Sequence, residues 1–285
     1  MQFQKLCLGT CGDYRIPEKE QIKLIAQAGF DGFFTGWSSG ADIKGNAALA
    51  KELGITYQSI HAPFNKTDDI WLADETTARI GIDEIKHCLS DCAANGIPIM
   101  VSHVMIGFDH TESPTEEGLR RYGEIIAEAE KLGVKIGFEN TEGDEFLKAI
   151  LTEFASSESV GFCWDSGHEM CYNHSSDLLA MYGSKLICTH LNDNLGVSSS
   201  DGSIGFTDDL HLLPFDGIAD WDYNARRLDQ CGYCGYMTFE LKTASKQGRH
   251  ENDIYSSMPL EMYLSEAYKR AVRVAAKRKI KCIGV

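Results

Sequence analysis

Short apolar runs alternate with longer amphipathic stretches along the chain, the pattern of repeated βα units. The apolar runs predict eight strands, at residues 6–9, 32–35, 56–61, 99–103, 135–139, 160–164, 185–190 and 236–240. Between them, helical spacing is clearest over residues 18–28, 47–53, 76–95 and 116–132. Gly29, Gly54, Gly96 and Gly133 follow those stretches, and glycine is the residue that most easily takes the left-handed conformation ending a helix. Eight strands alternating with helices, without a linker or a composition break, predict one (β/α)8 TIM barrel spanning residues 1–285. A doubly wound open sheet is the alternative. It normally carries a glycine-rich phosphate loop after its first strand, and Gly9-Thr10-Cys11-Gly12 matches that only partly.

Composition narrows the picture. A chain of 285 residues with 43% hydrophobic and 24% charged positions has the size and balance of one soluble α/β barrel. No apolar run approaches the roughly 18 residues a membrane helix requires. The opening MQFQKLCLGT lacks the parts of a secretion signal, so the expected location is the cytoplasm. In that compartment the ten cysteines read as free, mostly buried thiols. Cys231 and Cys234 form the one CxxC, and with no second such pair they read as ordinary cysteines near a helix end. Lys and Arg number 27 against 42 Asp and Glu, and the resulting charge of −15 disfavours nucleic acid as a partner. Two polar stretches, 194–209 and 243–259, read as irregular loops. Both follow strands, which in a barrel puts them over the catalytic end, where long loops often serve as lids.

The chemistry lies in where the ionisable residues fall. His61 ends the third strand, His103 the fourth, Glu139 the fifth, Asp165 the sixth, His190 the seventh and Glu240 the eighth, with His168 three residues after Asp165. Strand ends of a barrel converge on one rim, so these side chains share one pocket. Each has a plain structural reading alone: Asp165 could cap a short helix, and Glu240 could pair with Lys242. Together, buried carboxylates and imidazoles would repel or lack solvation without a cation, and a divalent metal resolves this. Such a donor set takes Mg, Mn, Co or Zn, with the additional imidazoles favouring Mn or Zn. His87, His110, His174 and His250 have no such placement and read as surface residues.

At these motifs the chain resembles the xylose-isomerase-like barrel superfamily of sugar isomerases and epimerases, which also contains the apurinic endonucleases. The resemblance rests on His61-Ala62-Pro63, Glu139-Asn140, Trp164-Asp165-Ser166-Gly167-His168 and His190-Leu191-Asn192-Asp193. Further on it continues in His211-Leu212-Leu213-Pro214-Phe215-Asp216-Gly217, Asp220-Trp221 and Phe239-Glu240. It implies a metal held by Glu139, Asp165, His190 and Glu240. It also implies that Glu139 and Glu240 act as the catalytic pair, one removing a proton beside a carbonyl and the other returning it through an enediolate. His61, His103, His168, Asn140 and His211 would then contact or surround the substrate. Trp37 and Phe64, and also Trp71, Phe108 and Trp221, are candidates for an apolar wall against a sugar ring.

The endonuclease branch of the same superfamily implies nine ligands around three zinc ions, and candidates for all nine exist. Asp209 and His211 would join the seven strand-end residues, so a second metal site with His61, His103, Asp209 and His211 is open. Rim charge argues against DNA. The rim loops hold Lys44, Lys66, Lys242, Lys246 and Arg249 against at least twice as many acidic residues, and no Lys or Arg lies between Asn192 and Trp221. The expected activity is therefore divalent-metal-dependent isomerisation or epimerisation of a small, unphosphorylated sugar or polyol derivative. The alternatives are a metal-dependent phosphodiesterase, a metal-assisted dehydratase and a non-catalytic sugar-binding barrel. The expected partner is a small carbohydrate, without nucleic acid or membrane, and a homodimer fits barrels of this kind.

Overall fold

Side chains alternate between the two faces of a strand, so the register between strands decides which residues meet inside a ring. In the computed structural model, which describes residues 4–280, eight parallel strands form that ring. They are β1 (Leu6–Gly9), β2 (Gly32–Gly36), β3 (Thr56–His61), β4 (Ile99–Ser102), β5 (Lys135–Glu139), β6 (Val160–Asp165), β7 (Leu186–His190) and β8 (Met237–Phe239). The ladder runs β7-β6-β5-β4-β3-β2-β1-β8. Its two ends meet just past β7, where the Leu191 N–H donates to the Thr238 carbonyl at 2.8 Å and the Glu240 N–H to the Leu191 carbonyl at 3.2 Å. The result is a nearly closed (β/α)8 barrel, and the open doubly wound sheet is excluded.

Helices cover the outside: α1 (Glu18–Ala28), α2 (Ile43–Leu53), α3 (Thr67–Leu72), α4 (Glu75–Ala94), α5 (Glu116–Leu132), α6 (Asp144–Glu153), α7 (Ser166–Cys171), α8 (Leu178–Tyr182), α9 (Trp221–Gln230), α10 (Asp253–Ser256) and α11 (Leu260–Ala275). The expected boundaries hold to within a few residues, and each shift has a local cause. α2 starts before residue 47 because the Asp42 carboxylate accepts the Gly45 N–H at 2.9 Å and caps the helix there. β4 stops at Ser102, so His103 lies just beyond it, and Glu240 lies just beyond β8. Both loop stretches sit at the C-terminal end of the barrel but are tied together rather than free. Arg249 binds Asp208 at 2.9 Å, Lys246 binds Asp209 at 3.1 Å, and the Asn252 amide donates to the Leu210 carbonyl at 3.3 Å.

The main core lies between the outward strand faces and the helices, and a small inner cluster of Val101, Cys163 and Cys188 fills the ring. Several sequence expectations end in that core. Trp71 and Trp221 are buried, their indoles donating to the Val104 carbonyl and to Asp193, and Phe108 packs on Tyr172. None of these three lines the sugar-sized pocket described below, since packing rather than exposure claimed them. His110 is not a surface residue either. It is half-buried against the Phe146 ring, and its Nδ1 is buried. Eight described cysteines are free, but Cys234 is disulfide-bonded, which corrects the all-thiol reading at that position. Cys231 is a free thiol, so the CxxC is not bonded to itself; Cys282 lies outside the described residues. No helix among the described residues is long and apolar enough to cross a membrane.

One buried ion pair steadies the catalytic half. Arg227 on α9 donates to Glu169 on α7 at 2.7 Å and to Asp177 at 3.0 Å, with its guanidinium over the Trp164 ring. Burial pushes the Glu169 carboxyl up, against the pull of Arg227. Replacing Arg227 with leucine strands that carboxylate, and the expected loss is about 3–5 kcal/mol of unfolding free energy in a denaturant titration. A loss below about 1 kcal/mol would mean the pair is worth no more than a surface contact.

Candidate active site

Ring register brings the strand-end residues to one level. His61 pairs with Val101 and Val101 with Gly137, so His103 and Glu139 stand two residues further along on the same inward face. Glu139 pairs with Cys163, which carries Asp165 two residues on, and Asp165 pairs directly with His190. Each step of two keeps the side chain pointing inward while the ring climbs, the stagger that a barrel requires. Glu240 joins them because its N–H is bonded to Leu191, the neighbour of His190.

The four residues Glu139, Asp165, His190 and Glu240 offer ligand atoms that all lie within 4.8 Å of one another. His190 Nδ1 stands 2.9 Å from Glu139 Oε1 and 3.0 Å from Glu240 Oε2. A ring nitrogen carries at most one proton, yet two carboxylate oxygens converge on it. Its Nε2 is buried without a partner, and the ring stacks on Phe34 at 4.6 Å. The other Glu139 oxygen faces His61 Nε2 at 3.2 Å and His103 Nε2 at 3.3 Å. Burial alone would raise Glu139, but these imidazoles, led by His190, hold it well below the usual carboxylate range. Asp165 lacks such support. It is fully buried, and burial pushes its carboxyl above the ordinary value despite His168. A buried carboxylate set with one member held unfavourably suits a divalent cation, so the donors present fit a metal of the oxygen-and-imidazole kind.

A second tier fixes this set. The Asn192 amide donates to both Asp165 oxygens, at 3.2 and 3.0 Å, and the His168 N–H donates to Asp165 Oδ1 at 2.7 Å. Asp165 therefore caps α7, as one of its two sequence readings expects, while it also belongs to the four-residue group. A Cβ on Gly167 would lie 1.9 Å from Asn192 Oδ1, which is why glycine stands there. Asp193 is a knot. Its carboxylate accepts the N–H groups of Asn194, Phe215 and Ala219 and the Trp221 indole, holding the segment after β7 in place.

Above the group opens a cavity of about 330 Å³, large enough for one small ligand. Trp37, Phe64, His61, His103, His168 and His211 line it, together with Asp209, Glu240 and Lys242. Phe64 stacks on His103 at 4.6 Å. Asn140 does not line it. Its amide is spent on the Asp165 backbone, donating to the carbonyl at 2.9 Å and accepting the N–H at 2.8 Å, so its role is to hold β6 rather than a ligand. Two further groups, His61–His103–Glu139 and His168–Asp209–His211, each also lie within 4.8 Å. Phe34, Lys242 and the Asn192 amide were missed as site residues. Phe34 sits on the inward face of β2 between Gly32 and Gly36, a signal readable from alternation only once the register is known.

Comparison with known proteins agrees with this geometry. The family model described as xylose isomerase-like TIM barrel matches residues 22–260. The chain belongs to this family. An uncharacterized protein, y4fM, of Sinorhizobium fredii is 28% identical over 78% of this chain and 80% of its own length. Among solved structures, the IolI protein with a bound zinc atom superposes with a TM-score of 0.73 at 18% identity, covering 96% of this chain and 98% of that one. An L-ribulose 3-epimerase superposes at 0.68 with 15% identity and 96% coverage of both chains. A xylose isomerase-like TIM barrel/4-hydroxyphenylpyruvate dioxygenase fusion protein superposes at 0.67 with 15% identity over 90% of this chain, which spans 41% of that longer chain. At such identities the structures share the barrel with this chain. In this member of the xylose isomerase-like family, the barrel brings together residues that could hold a metal ion.

Asn192 provides a test of how that set is held. Asn192→Ala removes the donor to both Asp165 oxygens, and the expected effect is a fall of about 10–100-fold in divalent-metal affinity, read by calorimetric titration of metal-free protein. Unchanged affinity would show that Asp165 needs no such support.

Proposed function

We propose that this chain is a divalent-metal-dependent isomerase or epimerase of a small carbohydrate, working by proton transfer at the carbon beside a carbonyl. The observation behind it is the convergence of Glu139 and Glu240 on one imidazole nitrogen from strands three steps apart on the ring. Two carboxylates approaching from separate strands can address both faces of a flat intermediate. A divalent ion held by Glu139, Asp165, His190 and Glu240 would supply polarisation of the carbonyl oxygen and stabilisation of the enediolate charge, with Mn or Zn the best match to the donors.

The protein's own groups do the rest. Burial would raise Glu240, but His211 and His190 hold it below the usual range, so it stays ionised as a base requires. His168 Nδ1 donates to the Asn140 carbonyl at 3.0 Å, which fixes the ring at the pocket wall with its Nε2 beside Asp209 Oδ1, 3.4 Å away. Trp37 and Phe64 offer apolar surface to the face of a sugar, and His61 and His103 close the wall beside them. Neighbours of the same fold include sugar epimerases, in agreement with this reading.

A second reading, metal-dependent phosphodiester hydrolysis, is favoured by the groups His61–His103–Glu139 and His168–Asp209–His211 beside the first. The rim weighs against a polyanion there. Lys66, Lys246 and Arg249 are already bound to Glu84, Asp209 and Asp208. The deciding experiment incubates manganese- or zinc-loaded protein with a panel of ketoses in deuterated water, beside an abasic-DNA control. Deuterium should enter the substrate, and Glu139→Gln or Glu240→Gln should each cut exchange by about 10²–10⁴-fold with the fold intact. Chelation should abolish it. Full exchange in both variants ends the mechanism, and cleavage of the DNA installs the second reading.

A further inference from the structure

We propose that Lys242 recognises a carboxylate on the substrate, so that the pocket takes an acidic sugar, a ketose that carries a carboxylate. This rests on the isomerase reading for the site but is tested by binding alone. Among the described residues that line the cavity, Lys242 is the one lysine or arginine. Its ammonium lies 3.9 Å from Asp209 Oδ2, beyond hydrogen-bond distance. That oxygen is already taken by Lys246 at 3.1 Å and by His211 Nε2 at 3.0 Å, and the other Asp209 oxygen has His168 Nε2 at 3.4 Å. Asp209 Oδ2 thus has its hydrogen bonds without Lys242.

The backbone holds this cation ready. The Lys242 N–H donates to the His211 carbonyl at 3.1 Å, and its carbonyl accepts the Tyr263 hydroxyl at 3.0 Å. The side chain is 27% exposed, so its ammonium has given up part of its water. A partly desolvated ammonium without a hydrogen-bonded partner gains most from an incoming anion, through a charge-assisted bond. A phosphate dianion calls for a helix N-terminus or a second cation. The nearest cations, Lys246 and Arg249, are held by Asp209 and by Asp208 with Glu251. One ammonium suits one carboxylate.

The test compares three ligands that differ only at the sixth carbon: D-fructose, D-fructuronate and D-fructose 6-phosphate. Each is titrated calorimetrically into manganese-loaded wild type, Lys242→Met and Lys242→Arg, with thermal unfolding as the check on folding. Fructuronate should bind wild type about 10–100-fold more tightly than fructose, the value of one charge-assisted hydrogen bond. Lys242→Met should erase that preference and leave fructose binding in place, and Lys242→Arg should keep most of it. Equal affinity for fructose and fructuronate, a preference that survives Lys242→Met, or a stronger preference for the phosphate each overturns the proposal. So does failure of all three to bind, since each offers the metal end the same hydroxyketone. Tight, Lys242-dependent binding of fructuronate without deuterium exchange would sink the isomerase reading and leave this one standing.

Discussion

Three carboxylates and an imidazole meet at the rim of this barrel where little water can reach them. Glu139, Asp165 and His190 are fully buried, and Glu240 is half-buried beside them. Moving one carboxylate into such surroundings costs several kcal/mol even after relaxation, a sizeable share of the roughly 5–15 kcal/mol by which ordinary domains are stable. The chain offsets that cost unevenly. Imidazoles converge on Glu139, and His190 and His211 act on Glu240, whereas burial keeps Asp165 raised despite His168, an amide and a backbone N–H. The point of greatest electrostatic need is therefore Asp165, directly paired in register with His190, and a cation placed between those two strands acts where it is worth most.

Much of the surrounding architecture follows from keeping these groups in place. Asn140 clamps the end of β6 through both its amide atoms, Asn192 supports the Asp165 carboxylate, and Asp193 gathers the segment after β7. Behind them, Arg227 couples α9 to α7 through Glu169, so the helix capped by Asp165 is anchored at its far side too. Outside-in, each layer fixes the one before it. Loss of any outer partner is expressed at the metal group as looseness rather than as a missing ligand.

How much of this was legible in the sequence depended on whether a feature is local. The βα alternation and the glycine stops at Gly29, Gly54 and Gly133 are set by neighbours in sequence, and they appear where expected. The convergence of the strand-end residues was readable because a barrel converts position along a strand into position on the rim. Asn140 was misjudged for the opposite reason. Adjacency to Glu139 is visible in sequence, but the destination of its amide, 25 residues away on β6, is not. Trp71 and Trp221 have the composition of a sugar wall and the burial of a core, and only three-dimensional packing tells these apart. Phe34 escaped because neither residue of the Phe33-Phe34 pair carries a chemical signature until the register of β1 and β2 places Phe34 against His190.

The same distinction separates the ring from the loops above it. Glu139, Asp165 and His190 end strands whose register the whole ring enforces, so a changed register would move several ligands together. Lys242, Asp209 and His211 belong to the segments after β7 and β8, which are tied to each other by ion pairs and hydrogen bonds and can vary without disturbing the ring. Backbone geometry marks this division, for His211 sits at a φ of 48°, in a left-handed conformation that a non-glycine residue rarely adopts. A loop held in that conformation by the Lys242 and Asp209 contacts commits the His211 ring to the pocket. Ring register therefore sets Glu139, Asp165 and His190, whereas contacts between loops set Lys242, Asp209 and His211.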